Sequence, residues 1–219
     1  MAVNPYIKKL KPEDINRAFD LIEIFDESDG LVKNITPNDL FSTLGPSPFG
    51  GLYTQTAQAV PVTNTTVESS IINGGVGSLT VPADYFQVGD TFHAFLSGSL
   101  SAVNNHTIQF HVHSNSASTI LTDSGLITLS GTTAKDWEMD IHFVVREIGP
   151  AGIAKIYTSG KFLYNKDANN NPEKIAFSYL NNTTFNTRIN NTLQVLAQWG
   201  TADPLDSIST DIFILNKLY

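Results

Sequence analysis

The 219-residue chain carries 13 Lys and Arg against 21 Asp and Glu, a formal charge of −8, and has no cysteine. A net acidic chain without a basic stripe excludes a nucleic-acid partner, and the missing thiols exclude disulfides, thiol catalysis and Cys-type zinc sites. With 41% hydrophobic but only 16% charged residues, the polar surface must come from Ser, Thr, Asn and Gln, which suits strands better than surface helices.

The opening stretch MAVNPYIKKLKPEDIN has no apolar leader core, and no apolar run of about 18 residues occurs anywhere, so neither secretion nor membrane insertion is expected. Pro12 is tolerated in a first helical turn, Glu13 and Asp14 suit the positive end of the helix dipole, and Ile15, Ala18, Phe19, Ile22 and Phe25 recur at helical spacing. This pattern predicts an amphipathic helix over about residues 12–26, ended by DESDG with Gly30 as a turn residue. A second short helix is expected in ITPNDLFSTLG. There Thr36 caps, Pro37 takes the first position, Asp39 the third and Gly45 the end, with Ile35 and Leu40 as a staple. A helix of about fifteen residues is marginal alone in water, so the stripe Ile15, Phe19, Ile22 and Phe25 is assigned as an anchor to another surface.

The run GPSPFGG then marks a boundary, dividing the chain into a helical N-terminal segment (1–45), a Gly/Pro linker (46–51) and a β domain (52–219). In the third part the period changes to two. Strands are expected near 52–58, 62–72, 76–81, 91–101, 107–113, 119–129, 136–147, 153–164, 174–180, 184–189, 192–199 and 208–218. The clearest is DWEMDIHFVVR, in which Trp137, Met139, Ile141, Phe143 and Val145 face one way and Glu138, Asp140, His142 and Arg146 the other. Short Gly, Asn and Pro turns, and no helix of crossover length between strands, predict an antiparallel β-sandwich or jelly roll. DANNNPE reads as a hairpin loop, the glycines of NGGVGS as turn residues, and Trp199 as an inward residue together with Leu193, Val195 and Ala197.

In HTIQFHVHS, Ile108, Phe110 and Val112 form the apolar side, so His111 and His113 share the opposite side. A His-x-His pair on one strand face is how cupin jelly rolls supply two metal ligands, and His93 or His142 would be the third. The cupin likeness ends there, since no Glu follows within the next few residues, SNSASTIL, and mononuclear sites want three or four convergent ligands. The pair is therefore read as a solvent or subunit face, with no metal or cofactor. Asp167, Asn169 and Asn171 match the start of a calcium loop, but Pro172 stands where Gly is needed and Ser178 where the bidentate Glu belongs. No nucleophile elbow, phosphate loop or dinucleotide fingerprint occurs, and no spacing selects a glycosidase pair such as Glu138 with Asp140. Six Asn-x-Ser/Thr sites, at Asn34, Asn64, Asn105, Asn181, Asn182 and Asn190, read as by-products of Asn- and Thr-rich turns. No catalytic residue is assigned.

Three stretches carry a family resemblance: LYTQTAQAVPVTNTTVESSIINGGVGSLTVPADYFQVGDTFHAFLSGSLS, DWEMDIHFVVREIGPAGIAKIYTSGKFLY and NTLQVLAQWGTADPLDSISTDIFILNKLY. They resemble the globular head domains of phage fibres and of the collagen-like proteins of large DNA viruses. The likeness covers about residues 51–219, and its most particular elements are GSLTVPADYFQVGD, the Ala-Gln-Trp-Gly near the end and the closing DIFILNKLY. It implies a jelly-roll head that assembles as a homotrimer on the virion surface, is made in the host cytoplasm and is exposed to the host, including host-surface glycans. It brings no catalytic residues. This sequence has no Gly-X-Y or coiled-coil shaft, which favours a head-fibre or decoration knob attached to other capsid proteins over a long fibre. The alternatives are a single jelly-roll vertex (penton) protein, a sugar-binding receptor module and a cupin-like metalloenzyme. In the last strand Ile212, Ile214, Leu215 and Leu218 are apolar on both faces and are expected to meet a neighbouring subunit.

Overall fold

In the computed structural model, residues 22–26, 31–35, 50–166 and 171–219 are described. The chain divides into two compact units, Met1–Ser47 and Pro48–Tyr219. Among the described residues every helix or strand element is a strand.

In the first unit β1 (Ile22–Asp26) pairs antiparallel with β2 (Leu31–Ile35), Ile22 opposite Ile35 and Asp26 opposite Leu31. This corrects the end of the expected first helix. IEIFD and LVKNI contain three Ile, a Val and a Phe, residues that favour a pleated pair, and they flank a connection of hairpin length. Of the four anchor residues, Ile22 and Phe25 lie in β1, while Ile15 and Phe19 fall outside the described residues. The second helix, expected from Thr36 to Gly45, also falls outside them.

The second unit is an all-β antiparallel sandwich. Its strands are β3 (Gly50–Gln55), β4 (Val62–Thr63), β5 (Ser69–Ser70), β6 (Gly75–Gly77), β7 (Thr80–Val81), β8 (Thr91–Ala102) and β9 (Thr107–Ser114). They continue as β10 (Ser116–Asp123), β11 (Ile127–Thr128), β12 (Thr132–Ile148), β13 (Ala154–Lys166), β14 (Asn171–Asn181), β15 (Asn191–Trp199) and β16 (Ser207–Lys217). The larger sheet has the order β14-β13-β12-β8-β16-β3-β6, with β4 also on β16. The smaller runs β10-β9-β15-β5, with β11 on β9 and β7 on β15.

The two inner faces share one core. β12 buries Trp137, Met139, Ile141, Phe143 and Val145, as its alternation predicts, and Trp199 is also inside, its indole N–H donating to the Val62 carbonyl at 2.9 Å. Phe110, Trp137, Phe162 and Tyr164 form a run of ring contacts between the sheets. Where β8 passes β16, a Cβ on Gly98 would lie 2.0 Å from the Ser209 carbonyl oxygen, so only glycine permits this approach.

Several expected elements differ: the expected strand 119–129 is divided into β10 and β11, and 76–81 into β6 and β7. Residues 184–189 are not a strand, because the Asn181 and Asn186 side chains accept hydrogen bonds from nearby backbone N–H groups and turn the chain, while Phe185 drops into the core. The expected strand 62–72 is broken into β4 and β5, with Asn64 at φ 49° between them. Gly75 and Gly77 form the edge strand β6 rather than a turn. A Cβ at Gly75 would stand 2.1 Å from the Thr54 carbonyl oxygen, so the missing side chain is what lets β6 pair with β3.

Candidate functional site

On β9 the burial of Ile108, Phe110 and Val112 turns His111 and His113 to the outer side of the smaller sheet. Yet His113 is only 3% exposed and His111 is half-buried, so the expectation of a solvent face is corrected here. Neighbouring strands cover the pair. β15 places Leu196 opposite His111 and Gln194 opposite His113. Beyond it, the chain entering β5 extends Glu68 over the sheet, and His111 Nδ1 donates a short hydrogen bond to Glu68 Oε1.

On the other flank, β10 has register shifts that set Asp123 opposite His111 and Ile120 opposite His113. Asp123 Oδ2 lies 3.6 Å from His111 Nε2. Asp123 Oδ1 is itself held, accepting from Gln109 Nε2 at 2.8 Å and from the Gly125 N–H at 2.7 Å. The two imidazoles stack with centroids 5.6 Å apart. Burial draws the His113 pKa below the ordinary imidazole value against the pull of the Glu68 carboxylate; His111 adds to the lowering and Asp123 opposes it. One ligand atom each from Glu68, His111 and His113 lies within 4.8 Å of the others.

Glu68 and Asp123 were not singled out by the sequence reading. Glu68 had a usable signal, being the sole charged residue between Gly51 and Ala83, in a run of Ser, Thr and Val. Asp123 had none, because its position opposite His111 depends on the bulges of β10.

His93 and His142 do not join this cluster. They face each other across β8 and β12 on the outer side of the larger sheet, with rings stacked at 4.6 Å, and His93 Nε2–H donates to Asp140 Oδ1 at 2.9 Å. The His142 pKa is lowered by burial first, then by His93, with Asp140 opposing and Lys161 adding. Below the ordinary value of about 6.5 the unfolded chain takes up this proton before the folded one, so stability falls from there downward through the lower folded value. Thermal midpoints at pH 7.5 and 5.5 are expected to drop less in His142→Gln than in the parent; equal drops would refute this assignment.

The four residues expected at a subunit face separate. Ile212 (46% exposed) and Leu218 (51%) are open, Ile214 is half-buried, and Leu215 (5%) belongs to the core of its own chain. Leu215 is thus corrected from interface to core, for a reason of phase. A register shift between Thr210 and Ile212 turns Ile212 and Ile214 outward and Phe213 and Leu215 inward. Asp167 and Asn169 of the calcium-like loop lie outside the described residues. Comparison with protein-family models, with curated proteins and with solved structures finds no match to this chain.

Proposed function

We propose that the chain is a non-enzymatic structural protein of a virus particle, a jelly-roll head that self-associates, as a trimer in the reading its sequence resemblance gives. It would sit on the capsid as a head-fibre or decoration knob, with the unit Met1–Ser47 as its attachment to other virion proteins. The observation that carries this reading is the strand order. Within the larger sheet β3-β16-β8-β12 run side by side, and within the smaller β5-β15-β9-β10. That order arises when two long antiparallel arms roll around a core, the double Greek key of a jelly roll. β8 with β9 makes one arm and β15 with β16 the other. They pair in both sheets, β8 with β16 and β9 with β15. The hairpin β13–β14 widens the larger sheet at one edge and β6 at the other.

Self-association is supported by the outer face of the larger sheet. Phe95 lies opposite Ile214, Ile214 opposite Thr54, and Thr54 opposite Val76. Ile212 is on the same face, and Val76 is 70% exposed. A run of apolar side chains on the open edge of this face marks an interaction surface, and the occupant assigned is a second copy of the chain. Light scattering on the full chain is expected to give about three times the 23.9 kDa chain mass. Ile212→Asp is expected to lower that mass while leaving the fold intact, because substitutions at open positions usually change stability by about 0.5 kcal/mol or less. A fivefold mass would select the vertex-protein alternative, and a monomeric parent at micromolar concentration would overturn self-association. Detection of the chain in purified particles tests its location.

A further inference from the structure

From the outer face of the smaller sheet, the geometry points to a site for a divalent transition-metal ion of the zinc class, ligated by Glu68, His111 and His113 and oriented by Asp123. It is independent of the virion reading and stands against the expectation of no metal. Two imidazoles and a carboxylate from β9 and from the chain entering β5 converge on one point, which is the ligand chemistry that zinc and its neighbours accept. With bonds of about 2.0–2.1 Å, tetrahedral ligand atoms stand about 3.4 Å apart. The ligand atoms already share a 4.8 Å envelope, within which the hydrogen-bonded His111 and Glu68 must part to admit the ion.

Two further observations fit an ion better than hydrogen bonds among the three residues alone. His113 is 3% exposed, and its ring nitrogens find no hydrogen-bond partner among the described residues, although its imidazole stacks on that of His111 beside Glu68. A metal bond would give this ring the polar partner it lacks among the described residues. His111 is held on both sides, with Nδ1 on Glu68 and Nε2 toward Asp123. An ion entering between His111 Nδ1 and Glu68 requires the imidazole's one proton to move from Nδ1 to Nε2, where it faces the Asp123 carboxylate, so the ring stays neutral and Nδ1 is free to ligate. A carboxylate behind the second nitrogen of a ligating histidine fixes ring orientation and tautomer, and Asp123 is braced for that role by Gln109 and the Gly125 N–H. The remaining coordination position is left to water.

The role that follows is a clamp. β5 is only two residues long and forms an edge of the smaller sheet, joined to β15 through Ser69 and Ser70. A metal bond to Glu68 ties this short edge across β15 to β9.

The test uses the untagged full chain, stripped with chelator and titrated with zinc chloride at pH 7.5 by calorimetry, with the metal content of the loaded protein counted. One zinc per chain at micromolar affinity or tighter is expected. His113→Gln is expected to lose saturable binding. Glu68→Gln, on a partly open residue that leaves folding intact, should weaken it at least about tenfold, and Asp123→Asn by about 10–100-fold. At the same zinc concentration the thermal midpoint should rise more in the parent than in Glu68→Gln. No saturable binding tighter than about 100 µM in the parent, roughly a hundredfold weaker than the micromolar affinity expected, overturns the site, as does binding that Glu68→Gln and Asp123→Asn both leave unchanged.

Discussion

Leu215→Asp is expected to yield no soluble folded protein, whereas Ile212→Asp, three residues earlier on the same strand, should fold normally. Leu215 is 5% exposed, sits opposite Tyr53 on β3 and Ala94 on β8, and lines the same apolar region as Phe92, Phe143 and Val145. Removing its side chain alone costs about 2–5 kcal/mol. A carboxylate buried there without a partner adds several kcal/mol more, or stays protonated at comparable cost. The sum is on the scale of the whole stability of a domain, about 5–15 kcal/mol. Soluble yield, far-ultraviolet circular dichroism and a thermal melt read the contrast. A cooperative melt for Leu215→Asp within a few degrees of the parent would return Leu215 to the surface and reverse the phase assigned to β16.

That phase illustrates what the sequence could and could not convey. Alternation in residues 136–147 predicted both the strand and its inward side, since a period of two needs only the chain itself. In the last strand the apolar residues occur on both faces, so alternation is silent. The shift between Thr210 and Ile212 that decides the phase is set by pairing with β8, a strand more than a hundred residues away. The histidine pair failed as a solvent face for a related reason. Its orientation on β9 was legible, but its burial depends on Glu68, forty-three residues upstream, and on the bulged register of β10. Strand existence is local; sheet membership and the cover over an outer face are not. The β1–β2 hairpin is a different case, because Ile22 and Phe25 fit a helical stripe and a strand equally well, and pairing with Leu31–Ile35 decides between them.

Asp206→Ala is expected to lower the thermal midpoint by about 4–12 °C, on the basis of about 2–3 kcal/mol and the scaling for chains of this size. Asp206 is fully buried in the corner where both arms of the roll pass from one sheet to the other. Its Oδ1 accepts from the Val103 N–H at 2.8 Å and its Oδ2 from His106 Nδ1–H at 2.7 Å, so it grips the 103–106 crossing. Its own carbonyl accepts from Thr63 Oγ1 at 2.6 Å, and its N–H donates to the Asp203 carbonyl at 3.1 Å, which fixes the 200–206 crossing and adds β4. One side chain thus holds the two bends at a common point, and alanine leaves the Val103 N–H and the His106 ring facing a void. Asp206→Asn should lie between the two, because the amide oxygen still serves Val103 while its NH2 requires His106 to accept instead of donate. A double-mutant cycle with His106→Ala separates the imidazole contact from the backbone one. If Asp206→Ala melts within a degree of the parent, the corner is held by its turn hydrogen bonds alone, Asn105 N–H to Leu129 and His106 N–H to Val103, and the buried carboxylate is not what sets the bend.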